Sequence, residues 1–306
     1  MKDLTNLLQL GQGNTPLIRL CNLEKKFQWK GQLWAKCEYQ NPTASFKDRG
    51  SVAEIKEAIR LKRKGVVCAS TGNMAASLAA YAARVKLPCI VVIPNQTPES
   101  KMRQADIAGA ILVKIKGNYD DCVKEAEKIA QKKDYLLCGD YEIRRKGQAT
   151  IGEELSKSSL NFDAFICPVG NGTVGCAISE GFAKYNKFPS FIGVQGKGAD
   201  PLTQAFLQTL KPIKQIRNPQ TIASAMCVGN PLDGDLTLAW VRKTRGKMFS
   251  ASDEEILSAQ KLLATTEGIF VEPPSAATIA TLEKIPGNLK NLVVILTGSG
   301  LKGGVK

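Results

Sequence analysis

Short apolar runs alternate with amphipathic segments of helical period along most of this chain, and that alternation limits its fold more than any other feature. The runs are almost continuously apolar, as in VVCAS (66–70), CIVVIP (89–94) and LVVILT (292–297). Strands of this kind are buried on both faces, which is typical of parallel sheets covered by helices on either side. We therefore predict an α/β fold made of doubly wound open sheets.

The same pattern predicts where the individual elements lie. Strands are expected at 31–39, 66–70, 89–94, 110–115, 163–169, 191–195 and 292–297. Amphipathic helices are expected near 51–63, 74–86, 99–109, 119–132, 147–156, 173–187, 253–266 and 275–285. Capping-box spacing predicts one helix start at Ser51 and another at Ser252, and Thr97 before a proline predicts a third.

Length and composition point to an ordinary globular protein. With 306 residues the chain can form two lobes around an extensive core. Hydrophobic residues make up 43% and charged residues 23%, and no apolar run reaches the roughly 18 residues that suggest a membrane span. The N-terminus lacks the pattern of a signal peptide. We expect a cytoplasmic protein without a membrane segment.

The cysteines and histidines exclude several kinds of site. Nine cysteines are scattered without a CxxC pair, and the sequence contains no histidine. The spacing required for a metal site is therefore absent, as are the Ser-His-Asp and Cys-His nucleophile systems. An odd number of cysteines in a chain of this size fits a reducing compartment better than a disulfide scaffold.

The net charge of +14 leaves three interpretations open. It could reflect nucleic-acid binding, a solvated basic surface, or attraction of an anionic substrate into a cleft. Basic residues are dense only in LKRKG (61–65) and EIRRKG (142–147) and are not interleaved with aromatics. We therefore do not expect a nucleic-acid partner.

The segment NPTASFKDRG (41–50) places Lys47 between Phe46 and Asp48. A lysine amine becomes a nucleophile when partial burial and neighbouring groups favour its neutral form. The aromatic neighbour, the small polar residues and the close approach that Gly50 allows provide such a setting. The alternative is a solvated surface lysine, which is the usual state of this residue.

A glycine-rich loop lies where a predicted strand meets a predicted helix. Gly170, Gly172 and Gly175 form a G-x-G-x-x-G pattern there, and free N–H groups at such a helix start bind phosphate. A dinucleotide site would also need an acidic residue at the end of the next strand, and Gln195 stands in that place. We favour a phosphate cradle over a nicotinamide site.

Two further strand ends carry small polar residues. STGN (70–73) opens a predicted helix and could bind a substrate carboxylate through its N–H groups, or Ser70 or Thr71 could simply cap the helix. Thr297 follows the last predicted strand, and its hydroxyl could face a ligand or merely end the strand.

Taken in order, these segments resemble the fold type II, or β-family, enzymes that use pyridoxal phosphate, and among them the threonine synthases. The resemblance extends from GQGNTPLIRL (11–20) to LTGSGL (296–301). Its motifs are NPTASFKDRG (41–50), STGNMAASLAAYAA (70–83), RRKGQATIGEEL (144–155), PVGNGTVG (168–175), TIASAMCVGNP (221–231), SDEEILSAQKLLATTEGIFVEPPSAAT (252–278) and LTGSG (296–300). Ala44 departs from the family pattern NPTGSFKDRG.

The resemblance implies an architecture and a role for each motif. It implies a tryptophan synthase β-like pair of lobes, a large cofactor-binding domain at 1–45 and 146–306, a small domain at 46–145, and the cofactor in the cleft between them. Lys47 resembles the catalytic lysine that forms a Schiff base with the cofactor. The other implied cofactor-binding residues are Asn73 at the 3′ oxygen, Thr297 at the ring nitrogen, and Gly170, Asn171, Gly172, Thr173, Val174 and Gly175 at the phosphate. The implied substrate-binding residues are Ser70, Thr71, Gly72, Met74, Arg144 and Asn171, with Glu272 near the cofactor.

The implied reaction converts O-phospho-L-homoserine and water to L-threonine and phosphate. Lys47 would move protons at Cα and Cβ, phosphate would leave Cγ, and water would add at Cβ. Met74 and the segment 138–141 depart from the family pattern near the substrate, which leaves open dehydration of serine or threonine, or β-replacement on O-phosphoserine. An inactive basic nucleic-acid-binding protein is the alternative of another class. The family also suggests a homodimer.

Overall fold

The computed structural model describes residues 7–208 and 212–303 of the chain. These residues contain two separate β-sheets. Each sheet belongs to its own unit. Unit 1 contains the residues up to Gly13 together with Asn41–Gln148, and unit 2 contains Asn14–Gln40 and the residues from Ala149 onward. The predicted division into domains at 46–145 and at 1–45 with 146–306 stays a prediction.

Unit 1 has a four-stranded parallel sheet in the order β5-β4-β3-β6. Its strands are β3 (Gly65–Ala69), β4 (Cys89–Pro94), β5 (Ile111–Ile115) and β6 (Tyr135–Cys138). Its helices are α2 (Lys47–Arg60), α3 (Asn73–Arg84), α4 (Glu99–Ile107), α5 (Tyr119–Lys133) and α6 (Glu142–Gln148).

Both faces of the unit 1 sheet are buried, as the continuous apolar runs predict. Along β3, Val66 and Cys68 pack into one apolar cluster, whereas Val67 and Ala69 pack into another. Because successive strand side chains point to opposite faces, this division means that helices cover both sides of the sheet.

Unit 2 has a six-stranded sheet in the order β1-β2-β10-β7-β8-β9, parallel except for the antiparallel pair of β1 and β2. Its strands are β1 (Leu17–Arg19), β2 (Gln32–Lys36), β7 (Ala164–Pro168), β8 (Ser190–Gly196), β9 (Lys247–Ala251) and β10 (Asn291–Ile295). Its helices are α1 (Cys21–Lys26), α7 (Thr150–Lys157), α8 (Thr173–Ala183), α9 (Pro201–Gln208), α10 (Gly234–Lys243), α11 (Asp253–Glu267) and α12 (Pro273–Ala280).

The core of unit 2 also lies on both sides of its sheet. On one side Ile166 and Val294 join a large apolar cluster. Phe165, the neighbour of Ile166, stacks against Phe191 with ring centroids 4.9 Å apart and against Phe182 at 5.9 Å. In the described parts of both units, no helix is both long and apolar enough to cross a bilayer.

All seven predicted strands are confirmed, but the pattern missed β1, β6 and β9. These three lie at the edges of their sheets. β1 and β6 have only three and four residues, and β9 mixes polar with apolar residues, so their apolar runs are short. The helices α1, α6, α9 and α10 were also missed.

The predicted helix starts have mixed outcomes. The capping box at Ser252 is confirmed, since its hydroxyl accepts from the N–H of Glu255 and the Glu255 carboxylate accepts from the N–H of Ser252. The start at Ser51 is wrong, because α2 already begins at Lys47. The cap at Thr97 is also wrong, because Pro98 is the residue that precedes α4.

Candidate active site

Lys47 is the first residue of α2, and the preceding loop is held by the carboxylate of Asp48. The Thr43 N–H donates to Asp48 Oδ2 at 2.7 Å, and the Thr43 hydroxyl donates to Asp48 Oδ1. Ala44, between them, has a φ of +62°, the left-handed conformation that glycine adopts most easily. This backbone conformation explains why the family pattern has glycine at position 44.

The amine of Lys47 contacts a carboxylate that sequence reasoning did not identify as a partner. Lys47 Nζ lies 3.0 Å from Asp140 Oδ1, and the two side chains are only 17% and 16% exposed. The same nitrogen lies 4.9 Å from the centroid of the Phe46 ring. Lys47 is therefore a partly buried cation with a counter-charge, not a solvated surface lysine.

Arg144 is fully buried, and its guanidinium is bonded inside unit 1. It forms an ion pair with Glu54, and its Nε donates to Glu54 Oε1 and to the Gly139 carbonyl, both at 3.2 Å. Burial opposes the charge, but the carboxylates of Glu54 and Asp140 outweigh it and raise the pKa of Arg144. These contacts do not support the predicted role of Arg144 as a ligand of a substrate phosphate.

The predicted substrate segment at 70–73 lies at the carboxyl end of β3, where it turns into α3. Gly72 precedes the helix, which begins at Asn73 and has no side-chain cap, so capping by Ser70 or Thr71 is wrong. Met74 is buried in the unit 1 core, with 7% of its surface exposed. The role of Met74 as a substrate contact stays a prediction.

The glycine loop of unit 2 connects β7 to α8 and has no room for side chains at its glycines. Gly172 has a φ of +93°, and a Cβ there would lie 2.1 Å from Thr237 Oγ1. A Cβ at Gly170 would lie 2.6 Å from the Ala225 carbonyl oxygen. A Cβ at Gly175 would lie 2.1 Å from Phe191 Cζ. Steric constraints thus explain all three glycines.

The start of α8 has the features of an anion site. The first N–H groups of a helix have no partner within the helix, and the helix dipole favours a negative charge beside them. Thr173, the first residue of α8, is 4% exposed, and its hydroxyl has no hydrogen-bond partner among the described residues. Buried polar atoms are nearly always bonded, so the Thr173 hydroxyl is well suited to bind a ligand. The Val174 side chain beside it is buried.

Asn171 is tied to the loop that precedes α10. The Asp233 N–H donates to the Asn171 carbonyl at 2.9 Å, and the Leu232 N–H lies 3.4 Å from Asn171 Oδ1. Gln195, where a dinucleotide fold would have its ribose-binding acid, instead accepts from the N–H groups of Leu202 and Thr203 at the start of α9.

Thr297 follows β10, is 2% exposed, and forms a hydroxyl pair with Ser275. The two oxygens are 3.0 Å apart, and the Gly298 N–H donates to Ser275 Oγ at 3.1 Å. Glu272 lies beside this pair, because a Cβ at Gly298 would be 2.2 Å from Glu272 Oε1. Sequence reasoning missed Ser275, although it lies in the GIFVEPPSAAT segment that marked the resemblance.

Comparison with known proteins agrees with this architecture. The family model described as pyridoxal-phosphate dependent enzyme matches residues 8–298. The structure of maize serine racemase aligns over 98% of this chain and 92% of its own, with a TM-score of 0.85 and 22% identity. Threonine deaminase isoform 2 of Solanum lycopersicum aligns over 93% of this chain and 79% of its own, with a TM-score of 0.81 and 24% identity. The predicted fold class is therefore confirmed.

Two curated relatives are more similar in sequence. A threonine synthase of Methanocaldococcus jannaschii is 41% identical over 99% of this chain and 78% of its own length. A threonine synthase of a Bacillus species is 38% identical over 96% of this chain and 85% of its own length. The alternative of an inactive nucleic-acid-binding protein is not supported by these similarities. The chain belongs to the pyridoxal-phosphate dependent enzyme family, as the resemblance of its motifs predicts, and its relatives there include threonine synthases.

Proposed function

We propose that this chain converts O-phospho-L-homoserine and water to L-threonine and inorganic phosphate, with pyridoxal 5′-phosphate as its cofactor. The observation that carries the proposal is the 41% identity with a threonine synthase over 99% of the chain. The resident residues described above fit the cofactor, because they include a partly buried lysine amine and a buried, unpartnered hydroxyl at a helix start.

The phosphate of the cofactor would bind to the loop from Gly170 to Gly175. Its N–H groups, the Thr173 hydroxyl and the dipole of α8 all favour an anion. The first turn of α8 contains no acidic residue that would oppose this charge. Asn171, in the same loop, is proposed to contact the substrate phosphate as well.

The ring nitrogen of the cofactor would accept a hydrogen bond from Thr297. Thr297 is a neutral hydroxyl, and it shares a hydrogen bond with Ser275. A hydroxyl stabilises a protonated ring nitrogen less than a carboxylate does. When bound, the cofactor supplies an electron sink for the carbon from which a proton is removed. Asn73 is proposed to hold its 3′ oxygen, and Glu272 to lie in its neighbourhood.

Lys47 is the residue that would move protons. Its Nζ would carry the cofactor covalently and, once released, remove and return protons at Cα and Cβ of the substrate. The N–H groups of Ser70, Thr71 and Gly72 are proposed to bind the substrate carboxylate.

The second candidate function is dehydration of serine or threonine, or β-replacement on O-phosphoserine. The pairing of Arg144 with Glu54 favours it. Because Arg144 is buried and its charge is neutralised by Glu54, it supports binding of a phosphorylated substrate less well than the resemblance implies.

The two candidates are separated by incubating the purified protein with O-phosphohomoserine, O-phosphoserine and threonine in parallel. Threonine, phosphate and ketoacid are measured in each reaction. We expect threonine and phosphate in equal amounts from O-phosphohomoserine. Phosphate release without threonine would reject the leading candidate, and ketoacid from threonine would favour dehydration.

We further propose that the protein acts in the cytoplasm on a small phosphorylated amino acid, without a nucleic-acid or membrane partner, and as a homodimer. Light scattering during size-exclusion chromatography tests the last point, because a mass near that of one chain would contradict a dimer.

A further inference from the structure

Four charged side chains of unit 1 form two connected ion pairs. Lys47 pairs with Asp140 at 3.0 Å, and Arg144 pairs with Glu54. Glu54 and Arg144 are 2% and 0% exposed, and the pair at Lys47 is more than four-fifths buried. Opposite charges in such poorly solvated places interact far more strongly than at a surface.

The backbone of Gly139 connects the two pairs. Its N–H donates to Glu54 Oε1 at 2.9 Å, and its carbonyl accepts from Arg144 Nε at 3.2 Å. Both backbone groups of the residue before Asp140 are therefore held by the buried pair. Arg144 also reaches the Lys47 carbonyl through Nη1 at 3.4 Å. The buried pair of Glu54 and Arg144 therefore contacts the backbone of Lys47 and the backbone of Gly139, the residue before Asp140.

A glycine in α2 makes this arrangement possible. A Cβ at Gly50 would lie 2.6 Å from Arg144 Cγ, so a larger residue there would displace the arginine stem. Two tyrosines are among the titratable groups near Asp140. After burial, its negative charge contributes to raising the pKa of Tyr119 and of Tyr141.

The chemical consequence concerns the proton that Lys47 carries. When a lysine amine removes a proton from carbon it becomes an ammonium ion, and a carboxylate 3.0 Å away stabilises that ion. The carboxylate also fixes where Nζ points, which is otherwise free to move at the end of a four-carbon stem. A general base needs both a correct position and a stable protonated form.

We propose that Asp140 is a positioning residue for Lys47, which orients its amine and stabilises its ammonium form, and that Glu54 and Arg144 hold the Asp140 loop in place for this purpose. The catalytic part of this inference rests on the proposed function, since it assumes that Lys47 takes its proton from the substrate. The electrostatic part depends only on the contacts within unit 1.

The electrostatic part is tested with full-length protein free of cofactor, by trace acetylation with acetic anhydride at pH 8. Only an unprotonated amine reacts, so Asp140→Asn should increase acetylation of Lys47, read by mass spectrometry, by about tenfold. Lys290, an exposed lysine of unit 2, is the internal reference. Asp134→Asn is the matched control, because it removes an equal charge from unit 1 at the exposed pair with Arg63 and should leave Lys47 unchanged. An unchanged ratio of Lys47 to Lys290 in Asp140→Asn would overturn the proposal.

The catalytic part is tested with cofactor-loaded protein. Asp140→Asn should lower kcat at least about tenfold and leave KM within about threefold, because it acts on a proton transfer and not on substrate binding. Glu54→Gln should change the acetylation ratio in the same direction, and should it fold poorly the Asp140→Asn result decides alone. Equal kcat for Asp140→Asn and wild type would overturn the catalytic role. Failure of the wild type to form threonine would instead reject the proposed function, whatever the acetylation shows.

Discussion

Lys47 and Arg144, two candidate residues of unit 1, carry formal charges that are paired with carboxylates, whereas the groups proposed to bind the cofactor phosphate and ring nitrogen in unit 2 are neutral. Lys47 faces Asp140, and Arg144 is paired with Glu54. Unit 2 offers backbone N–H groups of a glycine loop, the Thr173 hydroxyl and the hydroxyls of Ser275 and Thr297. Proton transfer is thus assigned to paired charges, and phosphate binding to neutral hydrogen-bond donors.

The difference has a physical reason. Moving a proton requires a titratable group, and a buried titratable group needs a partner because an isolated buried charge is very costly. Holding a phosphate requires only oriented dipoles, which can be buried without a counter-charge. Substitutions in unit 1 should therefore affect the fold as well as the chemistry, while substitutions in unit 2 should mainly affect cofactor affinity.

The largest effect is expected for Lys47→Ala. Without the amine, turnover should fall at least about a thousandfold, while some cofactor still binds noncovalently. Steady-state rates and equilibrium dialysis with the cofactor measure the two effects. Lys56→Ala, at an exposed position of the same helix, is the control. Residual turnover near that of the wild type would remove Lys47 from the site.

The next effect is expected for Arg144→Ala, which leaves the Glu54 carboxylate buried without its partner. The free energy of unfolding should fall by about 3–5 kcal/mol in urea denaturation. Replacing both residues together, as Glu54→Leu with Arg144→Met, should recover part of that loss, because no buried charge remains although the Gly139 N–H and carbonyl lose these partners. If Arg144 bound a substrate phosphate instead, Arg144→Ala would raise KM and leave the unfolding energy unchanged.

Sequence patterns predicted the central strands and most helices because those signals are local: an apolar run or a helical period lies within a few residues. Lys47, the glycine loop and Thr297 were found for the same reason, since each lies in a recognisable motif at a strand or helix end. Asp140 was not found as a partner of Lys47, because the two are 93 positions apart and no local pattern shows which distant side chains meet. The 22-position separation of Ser275 and Thr297 hid their contact in the same way.

A smaller effect on stability is expected at two glycines of unit 2 that both have positive φ. Comparing them separates the cost of backbone strain from the loss of cofactor binding. Gly268 has φ +69° and space for a Cβ, so Gly268→Ala should cost only about 1 kcal/mol of stability through strain. Gly172→Ala adds the contact with Thr237 Oγ1 and should also weaken cofactor binding about tenfold or more. Thermal unfolding and cofactor titration of both variants measure this, and equal cofactor affinities would contradict the phosphate role of the loop.

The smallest expected effect is a gain in stability from a substitution in unit 1. Ala44→Gly relieves the left-handed conformation at φ +62° and should stabilise the protein by about 1 kcal/mol. Ala53→Gly, in the interior of α2, should destabilise it by a similar amount, about 1 kcal/mol. Chemical denaturation of both variants gives the comparison, and a loss of stability in Ala44→Gly would mean that the loop before Lys47 is not strained.

Borohydride reduction of the cofactor-loaded protein, followed by peptide mapping, tests most directly the claim that Lys47 carries the cofactor. We predict that the visible absorbance is lost and that a single peptide, the one containing Lys47, retains the reduced cofactor. A label on another lysine, or no label in a well-folded preparation saturated with cofactor, would contradict the assignment.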